Sequence, residues 1–301
     1  MVFYKSTFDN KKCIAIVIKN GMTTSNNIFG LVAGNGFLPR IIADEIVKNS
    51  EVLKIFSLDE SNFVFFKKNG YYVKQVCFDN PSDLIKNIKN EKVNKVVCCG
   101  GIKFENNVSF LSFLKVLNLR IIICLIRFFI SKQRGDNFLL SLAENILKSI
   151  GCEVVAVQNI VPSLLTSNKD EVNIKKAKSY KSDIEYGVSV LKALSKYDIG
   201  QAVVVQNGRV VGIEGIEGTA KLIDRCGSYA YDGKKRPVLI KMSKIGQNRK
   251  LDLPSIGVDT IKSLAKNNYA GIAIERDSVL LIQRKKLIKF AKENDIFIKI
   301  L

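Results

Sequence analysis

Apolar positions follow two periods along this chain, and the alternation of the two predicts its layout. "IFGLVAG" from residue 28, "VLKIFSL" at 52–58, "YYVKQVCF" at 71–78 and "VNKVVCCGG" at 93–101 are short apolar runs that read as strands. "NGFLPRIIADEIVKN" and "PSDLIKNIKNEK" (81–92) carry apolar residues at helical spacing, with Pro39 at an early helical position. Strands alternating with helices imply a parallel sheet with helices on its faces. Residues 1–27 read as an extension that ends in the polar piece "TTSNN". "GDNFLLSLAENILKSIG" at 135–151 reads as a long amphipathic helix, started by Gly135 and Asp136 and stopped by Gly151. A domain junction is expected near its end, giving domains over 28–150 and 151–301.

The second half alternates again. "CEVVAVQNI" reads as a strand, and "SDIEYGVSVLKALSKYDIG" as a helix capped by Ser182 or Asp183. "QAVVVQNGRVVGIEG" reads as two strands about an Asn207-Gly208 hairpin turn. "TAKLIDRCGSYA" is a helix, "RPVLIKMSK" a strand, "GQNRKLDLPSIG" a polar loop and "VDTIKSLAKNNYA" a helix. "GIAIERDSVLLI" closes as a hairpin-like pair. The result is a second α/β unit with more antiparallel character.

The most hydrophobic zone, "VSFLSFLKVLNLRIIICLIRFFI" at 108–130, is interrupted by Lys115, Arg120 and Arg127. A spanning helix needs about 20 mostly apolar residues with few charges. This zone therefore reads as packed helices, either a plain buried core or a face near a membrane. The short run "CIAIVI" near the start, with no small-residue cleavage site after it, does not read as a secretory signal.

Composition adds three constraints to this picture of 301 residues. The formal net charge is +19, but the lysines are spread with no run of five basic residues, so a biased composition accounts for the charge and no nucleic acid is expected. Seven cysteines without Cys-x-x-Cys spacing suggest reduced thiols in a cytosol-like compartment. The chain has no histidine, which removes Ser-His and Cys-His catalysis and imidazole metal ligation. A metal would be held by carboxylates, carbonyls, water or substrate phosphate, which favours Mg²⁺ over Zn²⁺.

Three stretches offer chemistry. "GLVAGNGFLP" resembles a nucleotide-binding turn: Gly34, Asn35 and Gly36 let backbone amides approach a phosphate in front of a helix, although the full dinucleotide fingerprint is absent. Gly100 and Gly101 end a strand at the edge where open α/β sheets bind ligands. "EGIEGTA" at 214–220 sets Glu214 and Glu217 among three glycines, a turn able to hold a metal, a phosphate or a sugar hydroxyl, or merely to turn. Downstream, Gln247, Arg249 and Asp252 add cationic and acidic groups for a phosphate ester.

The order of these motifs is similar to that of the LpxI family. The resemblance rests on "GLVAGNGFLP", "VVCCGGIK", "RGDNFLLSLAENILKSIGCEVV", "DIEYGVSVLKALSKYDIGQAVVVQNGRVVGIEGIEGTA", "VLIKMSKIGQNRKLDLPSIG" and "AGIAIE", over about residues 28 to 290. It implies a Rossmann-like amino-terminal domain and a distinct α/β carboxy-terminal domain. It implies hydrolysis of UDP-2,3-diacylglucosamine to UMP and 2,3-diacylglucosamine 1-phosphate in lipid A synthesis, with Mg²⁺. The partner is then a UDP-linked acylated glucosamine lipid, met in the cytoplasm at the inner face of the membrane; a homo-oligomer is compatible. Carried onto this chain, catalysis would fall to Glu217, Asp252 and the position of Ala220. Substrate would be bound by Gly34, Asn35, Gly36, Gly100, Gly101, Gln201, Gln206, Gly218, Thr219, Lys241, Gln247 and Arg249, and metal by Asp136 and Glu214.

Two positions depart from the family. Its turn reads Glu-Gly-Thr-Asp with an essential Asp, where this chain has Ala220, and Asn137 stands where a second Asp is usual. Alanine neither binds Mg²⁺ nor accepts a proton. Either the position was engineered to trap substrate, or the lineage has drifted to a near-dead enzyme or a binder of a UDP-linked or phosphorylated lipid, or Glu217, Glu214 or Asp252 has taken over.

Overall fold

The computed structural model describes residues 27–77, 80–101, 136–229, 235–244 and 246–301, with the side chains of 136–139 left aside. The predicted extension and the hydrophobic zone at 108–130 lie outside the described residues. The chain divides into two compact units, residues 1–116 and 117–301.

In the first unit β1 (Ile28–Ala33), β2 (Val52–Ser57), β3 (Val73–Gln75) and β4 (Lys95–Cys99) pair in the order β3-β2-β1-β4, all parallel. Leu31, Ile55, Val96 and Val97 are fully buried, as strands covered on both faces require. Helix α1 (Leu38–Lys48) buries Leu38, Ile42 and Ile46 at four-residue spacing. Helix α2 (Glu60–Lys68) is a correction to the sequence reading, which predicts no element over 59–70. Asp59 caps it by accepting from the Asn62 amide at 2.9 Å. Phe63, Val64 and Phe65 follow one another in this helix, so apolar side chains fall on several of its sides and the helical period is blurred. The predicted helix at 81–92 is α3 (Pro81–Asn90).

The second unit opens with α4 (Asp136–Ser149) and a two-residue strand, β5 (Glu153–Val154). The predicted strand at 152–160 is thus mostly irregular, with a helical turn at Val157–Ile160. Helix α5 (Lys181–Leu194) starts one residue before the predicted cap. Neither Ser182 nor Asp183 caps it, because the Asp183 carboxylate accepts the amides of Asn207 (3.3 Å) and Gly208 (2.7 Å) and holds the hairpin turn instead. That turn joins β6 (Ala202–Gln206) to β7 (Arg209–Ile213), antiparallel as predicted. Helix α6 (Gly218–Tyr229), β8 (Val238–Lys241), β9 (Ser255–Ile256), α7 (Val258–Lys266) and β10 (Gly271–Ile274) follow. The predicted closing hairpin is absent: β10 pairs in parallel with β8 and with β12 (Phe297–Ile300), while β11 (Leu280–Leu281) pairs with β9. Helix α8 (Arg284–Glu293) makes the crossover that a parallel pair needs.

The main sheet of this unit runs β12-β10-β8-β6-β7. Ala202 and Val204 face a core with Leu222, Leu239 and Ile272; Val203 and Val205 face Ile184, Leu191 and Ile240 on the other side. Both sheet faces are buried, so functional groups are confined to its ends. Among the described residues no helix is long and apolar enough to cross a membrane.

Candidate active site

Two edges carry the residues singled out above. In the first unit the Gly34–Gly36 turn and Gly100–Gly101 meet at the carboxyl ends of β1 and β4. Asn35 N donates to Gly101 O at 2.7 Å and Gly101 N to Asn35 O at 2.9 Å. A Cβ on Gly34 would lie 2.6 Å from Gly101 O, and one on Gly100 2.7 Å from Asn35 O, so these glycines serve a close approach of two backbones. Gly34 N also donates to Cys99 O. Three amides that a phosphate would want are therefore already used. The buried Asn62, absent from the residues predicted, donates to Gly34 O (2.7 Å) and Gly36 O (3.0 Å), and Arg40 donates to its Oδ1.

The second unit gathers more chemistry at one end of its main sheet. The carboxyl ends of β7, β8 and β10 lie there with the start of β6, because β6 runs antiparallel to β7 and β8. Gln201, just before β6, is the centre. Its amide donates to Glu214 Oε2 at 2.8 Å and its Nε2 to Asp252 Oδ2 at 3.4 Å, while its Oε1 is buried and accepts nothing from the described residues. Glu214 Oε1 accepts the Thr219 hydroxyl, and Lys241 Nζ donates to Thr219 Oγ1 at 2.6 Å and stands 4.0 Å from Glu214. Gln247 Nε2 donates to Asp252 Oδ2 at 2.6 Å, and its Oε1 accepts the amide of Lys244. Lys244, itself buried, pairs with Asp198 at 2.7 Å. Glu275, after β10, accepts from the amide and hydroxyl of Ser243. Asp198, Lys244 and Glu275 are absent from the residues predicted; the signal available is that each lies within four residues of a strand end.

Gly200 lets these pieces close up. Its φ is +56° and a Cβ there would lie 2.4 Å from Glu214 O. Gly200→Ala is expected to destabilise the protein by about 2–4 kcal/mol, through left-handed strain and overpacking together. Urea unfolding measures it, and a change below about 0.5 kcal/mol would sink this account.

The other predicted residues take no part in these hydrogen bonds. Glu217 pairs with Arg225 at 2.8 Å, which also bonds Ile213 O, and that guanidinium holds its carboxyl below the usual range. Gln206 sits at the far end of β6 from Gln201, donating to Lys235 O. Arg249 donates to Asp277 O. Gly218 opens α6 with φ +79°, and Ala220 is exposed in its first turn. Asp136 is the first residue of α4.

Burial pushes the Asp252 carboxyl above its ordinary pKa, against the pull of Gln247, Lys241, Gln201 and Lys244. A carboxyl with a raised folded-state pKa holds its proton more tightly folded than unfolded. Ionised at neutral pH it subtracts stability, and that cost disappears as pH falls through the raised value. Asp252→Asn should therefore raise the melting temperature at pH 7, with the gain closing in acid. Thermal melts across pH check this; a gain that widens in acid would refute it.

Glu214 and Asp252 are the carboxylates this cluster would offer a Mg²⁺ ion, which commonly takes one or two carboxylates plus substrate phosphates. Among the described residues no three His, Cys, Asp or Glu side chains stand together. Both Glu214 oxygens accept hydrogen bonds beside a lysine, and Asp252 Oδ2 accepts from Gln247 and Gln201.

The LpxI N-terminal domain family matches residues 28–164, and the LpxI C-terminal domain family matches 169–299. The chain belongs to the LpxI family. Among curated relatives it is similar to the UDP-2,3-diacylglucosamine pyrophosphatase LpxI of Caulobacter vibrioides. The two are 26% identical over 278 residues, which is 89% of this chain and 95% of the relative. Family membership supports a diphosphatase-type hydrolase, and the Gln201-centred cluster lies inside the LpxI C-terminal match.

Proposed function

We propose that the protein binds UDP-2,3-diacylglucosamine and hydrolyses its diphosphate to UMP and 2,3-diacylglucosamine 1-phosphate, with turnover limited by Ala220. The observation that carries this reading is the convergence of Gln201, Glu214, Thr219, Lys241, Gln247 and Asp252 from four separate segments onto one sheet end. Such convergence of polar groups onto one sheet end is what a binding site needs.

In this reading Lys241 and Lys244 offset the diphosphate charge, aided by the start of α6. The buried Gln201 Oε1 accepts a donor group of the substrate. Asp252, with its raised pKa, takes one proton from the attacking water. A new oxygen–phosphorus bond forms, the P–O–P bridge breaks, and the bridging oxygen leaves on the other phosphate. No step is assigned to Mg²⁺. An acylated substrate is met at a membrane surface, so peripheral contact with the cytoplasmic face of the inner membrane belongs to the same proposal.

The second reading, a binder without turnover, is favoured by Ala220 alone. Substrate in detergent micelles separates the two. Release of UMP by the protein as it stands supports hydrolysis; saturable binding without UMP supports the binder; neither one overturns both.

A further inference from the structure

Helix α4 contains one of the most distinctive stretches of the sequence, yet none of its described side chains joins the Gln201 cluster. Glu144 gives it a task. This side chain is 13% exposed. Its Oε2 accepts Asn248 Nδ2 at 2.6 Å, and its Oε1 pairs with Lys148 at 2.7 Å and Lys250 at 3.5 Å. Those donors, Lys148 first and then Asn248, hold its carboxyl below the usual range.

Asn248 is the pivot of the polar loop. Its carbonyl accepts the amides of Leu251 (3.1 Å) and Asp252 (2.9 Å), and its Oδ1 accepts the Lys250 amide at 3.1 Å. The residue before it is Gln247, which holds the Asp252 carboxylate. Fixing the Asn248 side chain therefore fixes where both Gln247 and Asp252 stand. Two further ties, from Gln158 Nε2 to Arg249 O at 2.9 Å and from Arg249 to Asp277 O, hold only the next residue.

We propose that Glu144 is a positioning residue: its hydrogen bond to Asn248 holds the 246–252 loop so that Gln247 and Asp252 are aligned for the substrate. It touches no substrate itself. The proposal rests on the functional reading above for its ligand, but the clamp is observable without one.

The test compares Glu144→Ala, Glu144→Gln and Asn248→Ala. Binding of UDP-2,3-diacylglucosamine in micelles and amide hydrogen exchange over 246–252 are the readouts. Glutamine loses the ion pairs to Lys148 and Lys250 but still offers Asn248 an acceptor. Loss of a hydrogen bond to a charged group corresponds to roughly tenfold or more. Glu144→Ala and Asn248→Ala are expected to weaken binding about tenfold and to speed exchange in the loop, with the double variant no worse than either single. Glu144→Gln is expected to stay within about threefold of the parent. Equal losses in Glu144→Ala and Glu144→Gln would mean that charge or general stability matters, and would overturn the proposal. So would unchanged exchange in Glu144→Ala. If the parent binds no substrate, the functional reading fails, while the exchange data still decide whether the clamp exists.

Discussion

Ala220→Asp is expected to raise UMP release from UDP-2,3-diacylglucosamine by about 10²–10³-fold over the protein as it stands, the range that one well-placed polar group contributes in such sites. Position 220 lies in the first turn of α6, one residue after Thr219, whose hydroxyl joins Lys241 to Glu214. The alanine is exposed, so a carboxylate meets no steric barrier there. A negative charge in a first helical turn is itself favourable by about 0.3–1 kcal/mol, so the variant should melt no lower than the parent. The added carboxylate also offers Mg²⁺ a further oxygen ligand, and that ion commonly takes one or two carboxylates plus substrate phosphates. Turnover in the variant should therefore stop on chelation with EDTA and return with Mg²⁺. Equal turnover by parent and variant would mean that another group does the work of the missing acid. Binding without turnover in both would establish the binder and a loss that goes beyond position 220.

The contrast between Ala220 and its neighbours shows where a sequence speaks for itself. The strands of both units are legible because their apolar runs are short, bounded by polar or glycine turns, and buried on both faces. The Asn207-Gly208 hairpin is legible because both residues need a positive φ, which they adopt at +50° and +71°. Helix α2 is not legible, since consecutive Phe63, Val64 and Phe65 erase its period. The closing strands mislead because adjacency in sequence suggests a hairpin, whereas β10 and β12 are parallel and joined through α8.

The candidate site is legible residue by residue but not as an arrangement. Glu214, Thr219, Lys241, Gln247 and Asp252 stand out in glycine-rich turns, polar turns or a strand end. Only sheet topology brings them to Gln201, through the antiparallel β6 that places its first residue beside the last residues of β7 and β8. The same topology sends Gln206 to the opposite end, about 16 Å away at roughly 3.3 Å per residue. Glu217 is indistinguishable from Glu214 in sequence. Arg225, two turns into α6, decides between them by taking Glu217 as its partner. Nothing in the spacing reveals that Glu144 and Asn248, 104 positions apart, meet.

Lys241→Met should have the second large effect, and it separates binding from folding. The lysine and Glu214 side chains are 7% and 10% exposed and 4.0 Å apart. Removing the cation leaves a buried carboxylate facing only the Gln201 amide and the Thr219 hydroxyl, both neutral donors. Breaking a buried pair in this way typically costs about 3–5 kcal/mol, and the lower end is expected here because those two donors remain. Substrate affinity should fall by roughly tenfold to a hundredfold, the worth of a charge-assisted contact to a phosphate. Pairing Lys241→Met with Glu214→Gln removes the stranded charge, so the double variant should recover most of the stability measured by urea unfolding. It should not recover affinity, since the cation that meets the diphosphate is still missing. Recovery of both would make Lys241 a counter-ion of Glu214 and nothing more. Recovery of stability alone, with Glu214→Gln by itself binding as the parent does, would assign the ammonium to the ligand, because a purely structural lysine has no means of changing affinity once the fold is restored.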